Sequence, residues 1–243
     1  MTSKKVSIGV VCEGQTDYVA ICSFLGQALV KREIEPKFIA LQPQPGNSDD
    51  AGWTRVFFWL EQNPPEARIR TYFGGGLFEN DLGSEKCDVL LFQMDSDILD
   101  DGTFSGYMKN RAINYSIPAN PVDRGKEICR LLSLFSRFEE LVAADMSRHI
   151  FAPAVESTET WCVAAFKKLA TDPELLRGQE LWDAFTDCLL RSEGRNPNPP
   201  FGTPDKDVKR RSEYCTRHAN SVFIEPQSLH FRLAADTIAL NAK

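Results

Sequence analysis

Two short acidic motifs stand out, because carboxylates at their spacing can share a hard cation. The first is Glu13-Gly14-Gln15-Thr16-Asp17, directly after the apolar run Val6-Ser7-Ile8-Gly9-Val10-Val11-Cys12. The second is Asp95-Ser96-Asp97, directly after Asp88-Val89-Leu90-Leu91-Phe92-Gln93-Met94. Two aspartates at i and i+2 that leave a strand end can aim oxygens at one ion. Mg2+ prefers such ligands, keeps several waters and bridges to phosphate oxygens. A carboxylate at Glu13 supplies a third ligand or a group that moves a proton. Gly14 lets the chain turn tightly beside a ligand, and the N-terminus of the helix that follows favours phosphate. Each motif alone also suits an ordinary strand-to-helix turn, where Asp, Ser and Thr cap and bend the chain. Their occurrence together, each behind an apolar strand, favours the chemical reading.

Those motifs need strands that end at one edge of a sheet. The apolar run 6–12 predicts a strand buried on both faces. Thr16 and Asp17 are N-cap candidates for a helix over 18–31. A second strand is expected over 37–41, a loop over 42–50 and a helix over 52–62 that stops at Pro64-Pro65. Gly74-Gly75-Gly76 reads as a turn, and it lacks the Lys-Ser/Thr of a phosphate loop. The clearest buried strand covers 88–94, and 95–122 reads as irregular. Helical periodicity returns over 123–140, a strand is expected over 149–155, and helices over 159–169, 173–191 and 226–240. The Pro- and Asn-rich stretch 196–204 reads as a linker or long loop. Strands alternating with helices predict an α/β fold, a mostly parallel sheet flanked by helices. Residues 1–170 form the expected catalytic unit, with 171–243 as a helical C-terminal extension.

Composition narrows the function. The chain has 243 residues, 42% hydrophobic and 26% charged, ordinary values for a globular protein. No stretch reaches the roughly 18 apolar residues of a membrane span, and 6–11 is too short for a signal-peptide core, so a cytoplasmic location is expected. Seven cysteines without a Cys-x-x-Cys pair support neither a disulfide framework nor a zinc ribbon. The three histidines do not cluster at metal-ligand spacing. A net charge of −6 excludes a broad electrostatic footprint for duplex DNA. Contact with nucleic acid would need a local basic patch, a bound cation or a partner protein. The densest basic run begins at Lys206 and includes Lys209, Arg210 and Arg211. These three are candidate phosphate contacts, although a solvated helix face is the plainer reading.

The arrangement resembles the Toprim domain shared by topoisomerases, primases and OLD-type nucleases. Glu13-Gly14-x-Thr16-Asp17 after strand one and Asp95-x-Asp97 after a later strand carry the resemblance, which covers roughly residues 5–170. Within that superfamily the chain looks most like the small stand-alone Toprim-like proteins of bacterial defence and mobile elements. The resemblance implies a Rossmann-like sheet, Mg2+ (or Mn2+) held by Asp95 and Asp97, and an essential glutamate at Glu13. It also implies a Glu-rich segment after a later strand. Glu156 and Glu159, ahead of Trp161, match it as ligands of a second ion, though acidic residues also simply favour a helix start. The segment between the two motifs looks longer than in a minimal Toprim unit, so an insertion is expected near 74–83.

The function implied is an Mg2+-dependent nuclease acting on DNA or RNA, within a phage-defence setting. Two other readings stay open: a non-catalytic subunit that partners an ATPase, and a different α/β phosphotransferase or phosphatase that uses the same acidic edge. Strand-passing topoisomerase activity would need a separate gate domain with a tyrosine nucleophile, for which the chain has no room.

Overall fold

Strand one alternates its buried side chains between two cores, as a period of two requires. Val6, Ile8, Val10 and Cys12 face one apolar cluster, while Val11 joins the other. In the third strand Val89 and Leu91 face the first cluster and Leu90 and Phe92 the second. A sheet apolar on both faces must be covered on both. The computed structural model describes residues 3–44, 51–74, 85–166, 172–196, 206–220 and 222–242.

The sheet has four parallel strands: β1 (Lys4–Val11), β2 (Ile34–Gln42), β3 (Val89–Phe92) and β4 (His149–Phe151), in the order β2-β1-β3-β4. β1 and β3 are direct neighbours, with Val11 opposite Phe92. The length of chain between the two acidic motifs therefore does not separate them. The expected insertion lies outside the described residues except Gly74, as does the 196–204 linker except Asn196.

Strand β1 feeds helix α1, which runs as Gln15–Ala20, a π-helical stretch Ile21–Leu25 and Gly26–Val30. It starts earlier than the expected 18, with Gly14 as N-cap and no side chain capping it. On the second face lie α2 (Trp53–Gln62), α3 (Gly102–Asn110) and α4 (Pro121–Phe135). Helix α3 falls within the stretch read as irregular. Asp101 caps it through Thr103 and Phe104, and Phe104 and Met108 bury one turn apart. The strand expected to reach 155 ends at Phe151. Pro153 follows, yet Ala152 and Ala154 still donate to Phe92 and Met94.

The first face is covered by α1 together with α5 (Glu159–Phe166), α6 (Gly178–Ser192), α7 (Val208–His218) and α8 (Leu229–Asn241). Leu181, Phe185, Tyr214 and Phe231 share one cluster with Val6, Ile8 and Ile150. The helices after residue 170 thus form no separate core; they complete the layer over the sheet. None of the helices among the described residues is long and apolar enough to cross a membrane.

Two predictions follow from this packing. The Cβ of an alanine at Gly125 on α4 would lie 2.1 Å from His230 Nε2 on α8. Gly125→Ala should therefore lower unfolding stability by about 1–3 kcal/mol in denaturant titration. Combined with His230→Ala it should cost less than the two single changes added together. The second concerns Glu174, which is 3% exposed with no hydrogen-bond partner for Oε1 among the described residues. Burial pushes its carboxyl up to about 7. An acid raised in the folded state stays protonated there while the unfolded chain ionises. Its contribution is full at low pH and is lost as pH rises from the ordinary carboxylate range to about 7. Melting temperature against pH should fall less steeply for Glu174→Gln than for the wild type across that window.

Candidate active site

The carboxyl ends of β1 and β3 are tied by one bond between the two motifs. The Asp95 backbone N–H donates to Glu13 Oε1 at 2.8 Å. Gln93 Nε2 donates to Asp95 Oδ1 at 2.7 Å, which fixes the aspartate's rotamer from below. The loop after β3 is stitched to the one after β4. Ser96 and Asp97 donate their amides to the Ala154 and Glu156 carbonyls at 2.9 and 3.0 Å, and the Glu156 amide donates to Ser96 Oγ at 2.8 Å. Arg124, buried at the start of α4, donates to the Ser96 carbonyl and to Asp100. Rigid backbone contacts thus position both acidic residues of the second motif.

Asp17 stands in the first turn of α1 rather than at its cap. It is 6% exposed and accepts a 2.6 Å hydrogen bond from the Thr158 hydroxyl. The Cβ of any residue larger than glycine at position 14 would come within 3.2 Å of Asp17 Oδ2. Glu13, Asp17, Asp95 and Asp97 together line one pocket of about 440 Å3, with Gly14, Gly52 and Lys206 also on its wall. Asp17 is the member that its motif left as a cap. The helix starts at Gln15, so position 17 falls in its first turn.

Burial and mutual repulsion raise every acid in this group. Loss of water and the charge of Asp17 push Glu13 well above the usual carboxylate range. Burial, then Asp17 and Glu13, do the same to Asp95. Burial and Glu159 raise Asp17. Asp97 sits at the exposed lip, where loss of part of its water and the charges of Glu156 and Glu159 push it up to about 7.

The two later glutamates are already committed. Glu159 is fully buried against Arg211, itself 1% exposed, in a direct ion pair, and Lys206 Nζ lies 3.9 Å from Glu159 Oε1. Burial alone would raise Glu159, but Arg211 and Lys206 outweigh it and hold the group at about 2. Glu156 accepts from Arg177 at 2.9 Å through one oxygen and from the Gly178 amide at 2.8 Å through the other. Ligation of a second ion by Glu156 would have to break its bonds to Arg177 and Gly178, while Glu159 keeps Oε2 without a hydrogen-bond partner among the described residues but wholly buried beside Arg211.

The basic run is likewise redistributed. Arg211 points into the core and is closed to a phosphate. Arg210 pairs with Glu193, the residue just after α6, at 2.5 and 2.8 Å. Lys209 is exposed and does not line the acidic pocket. Lys206 does line it, with its ammonium 4.8 Å from the Trp182 ring centroid. The helical repeat of α7 turns Arg211 inward and Lys209 outward, and the density of positive charge along the sequence does not reveal direction. His149 and His230 are packing residues: His149 lies parallel to the Phe92 ring, and His230 bonds to the Val122 carbonyl.

Oxygen donors, buried like charges and a solvent-facing lip suit a divalent cation by charge. Among the described residues, however, no three His, Cys, Asp or Glu side chains form a ready metal-ligand group. No family model, no curated protein and no solved structure matches this chain.

The Glu159–Arg211 pair gives a test of the frame behind the pocket. Arg211→Met leaves a buried carboxylate without its partner and should cost about 3–5 kcal/mol. The double variant Glu159→Leu/Arg211→Met should recover most of that loss in the same unfolding titration.

Proposed function

We propose that the chain is a Mg2+- or Mn2+-dependent hydrolase of nucleic-acid phosphodiesters. One observation carries the reading: four carboxylates from two strand ends and the first turn of a helix converge in one pocket at the carboxyl edge of a parallel sheet. Ligands of open parallel sheets bind at that edge. Burying like charges is costly unless something positive sits among them. Lys206 supplies one charge at the wall, and a phosphate-bound divalent ion would supply the rest. The resemblance to the Toprim superfamily points the same way, and to a defence setting in which an ATPase is the partner protein.

Asp95 and Asp97 would hold the ion from the β3 end and Glu13 from the β1 end. A divalent ion held there would supply Lewis-acid chemistry toward a phosphodiester. Glu13 would serve either as that ligand or, ionised, as the group that takes a proton from the attacking water. The Asp95 amide and the Gln93 amide group keep Glu13 and Asp95 oriented before any substrate arrives. The Lys206 ammonium stands where it can offset charge that develops on the phosphate oxygens.

The test is cleavage of labelled single- and double-stranded DNA and RNA with Mg2+ or Mn2+. Asp95→Asn, Asp97→Asn and Glu13→Gln should each reduce cleavage by roughly 100-fold or more, by analogy with the loss of other charge-stabilising groups. Mg2+ should raise the melting temperature of the wild type and not that of Asp95→Asn. Undiminished cleavage in the three variants would end the reading. A wild type with neither cleavage nor a cation-dependent melting shift would favour the non-catalytic subunit, and turnover of small phosphoesters alone would favour a phosphatase.

A further inference from the structure

A second concavity of about 540 Å3 lies between β2, the outermost strand of the sheet among the described residues, and helix α2. Its size is that of a small-ligand site. Three aromatic rings line it: Phe58, Trp59 and Tyr72. Trp59 and Tyr72 stack on each other, with ring centroids 5.8 Å apart and planes 29° from parallel, and so hold each other in place at the cavity's wall. Phe58 is 54% exposed, a large apolar ring presented to solvent at the same concavity. Arg55, Gln62 and Asn63 add polar groups around these rings.

Hydrogen bonds link the walls of the two pockets. Gln15 lines the acidic pocket, and its Nε2 donates at 2.9 Å to the carbonyl of Gln44, which lines the aromatic one. Gly52 lines the acidic pocket and caps α2, the helix that presents Phe58 and Trp59 to the other. The Gly52 amide also bonds to the Glu13 carbonyl at 2.7 Å. A strand with its phosphate at the carboxylates would thus have a neighbouring cavity edged by the exposed Phe58 ring and by side-chain amides.

We propose that this cavity seats one unpaired base of the bound strand, so that the substrate is single-stranded or locally opened at the cleavage site. The proposal rests on the nucleic-acid reading above. Aromatic walls accept any base because every base has a π-face, and amides around the rings can bond to the base edge. A base inside an intact duplex is stacked on both sides and cannot enter without leaving its partner.

The experiment is fluorescence anisotropy with a labelled single strand on Asp95→Asn protein, which keeps the strand intact. Phe58→Ala and Tyr72→Ala in that background should each weaken binding by about tenfold. An abasic site at one position of the strand should weaken the parent by a similar factor and the variants hardly at all. A matched duplex should bind the parent and the variants alike. Should both variants hold the single strand as tightly as the parent while the wild type still cleaves, the base site is wrong and the hydrolase stands. Should the wild type cleave nothing yet bind a nucleoside monophosphate in a Phe58-dependent way, the hydrolase is wrong and the base site stands. Binding of neither strand nor monophosphate overturns both.

Discussion

The bond from the Asp95 amide to the Glu13 carboxylate is the contact on which the rest of the site depends. It exists because β1 and β3 are adjacent and parallel, so that their carboxyl ends arrive at the same level. A carboxylate that accepts a backbone N–H has a fixed direction, and that direction brings Glu13 toward Asp95, Asp17 and Asp97. The arrangement runs against electrostatics, since each acid raises the others. Only a sheet edge whose strands are buried on both faces and locked by their ladders can hold such a group together.

Elsewhere the protein settles its buried charge pair by pair. Glu159 has Arg211, Glu156 has Arg177 and a backbone amide, and Arg124 has a carbonyl and Asp100. Both later glutamates look like metal ligands by residue type and position, and both are neutralised by guanidinium. The four acids of the pocket have Lys206 on their wall and no arginine lining the pocket among the described residues. The contrast within one molecule separates carboxylates paired with guanidinium from carboxylates held by neutral donors. It follows from partners rather than from sequence.

That distinction explains what could be read beforehand. The strands at 6–12 and 88–94 were legible because uninterrupted apolar runs have few alternatives, and the acids behind them inherited their position. Asp17 looked like a cap, since Thr and Asp before an apolar helix usually are; the helix instead begins at Gln15 and carries Asp17 inward. Helix α3 was hidden by Gly102, Gly106 and a polar surface, with only Phe104 and Met108 marking its buried face. The direction of Arg211 could not be read at all. A basic run shows how much charge there is, and only the packing of α7 against α1 and α5 decides which residue turns inward.

The same packing removes the apparent boundary near residue 170. A helical extension would be expected to leave the sheet's own core complete without it. Here Leu181, Phe185, Tyr214, Phe231 and Ile238 cover the same face as α1, and Arg211 balances a glutamate that lies behind Asp17. Without α7 the charge of Glu159 would join the acidic group uncompensated and raise Asp17 further. The C-terminal helices therefore do two things at once. They bury the sheet, and through Arg211 they offset the charge of Glu159 beside the pocket.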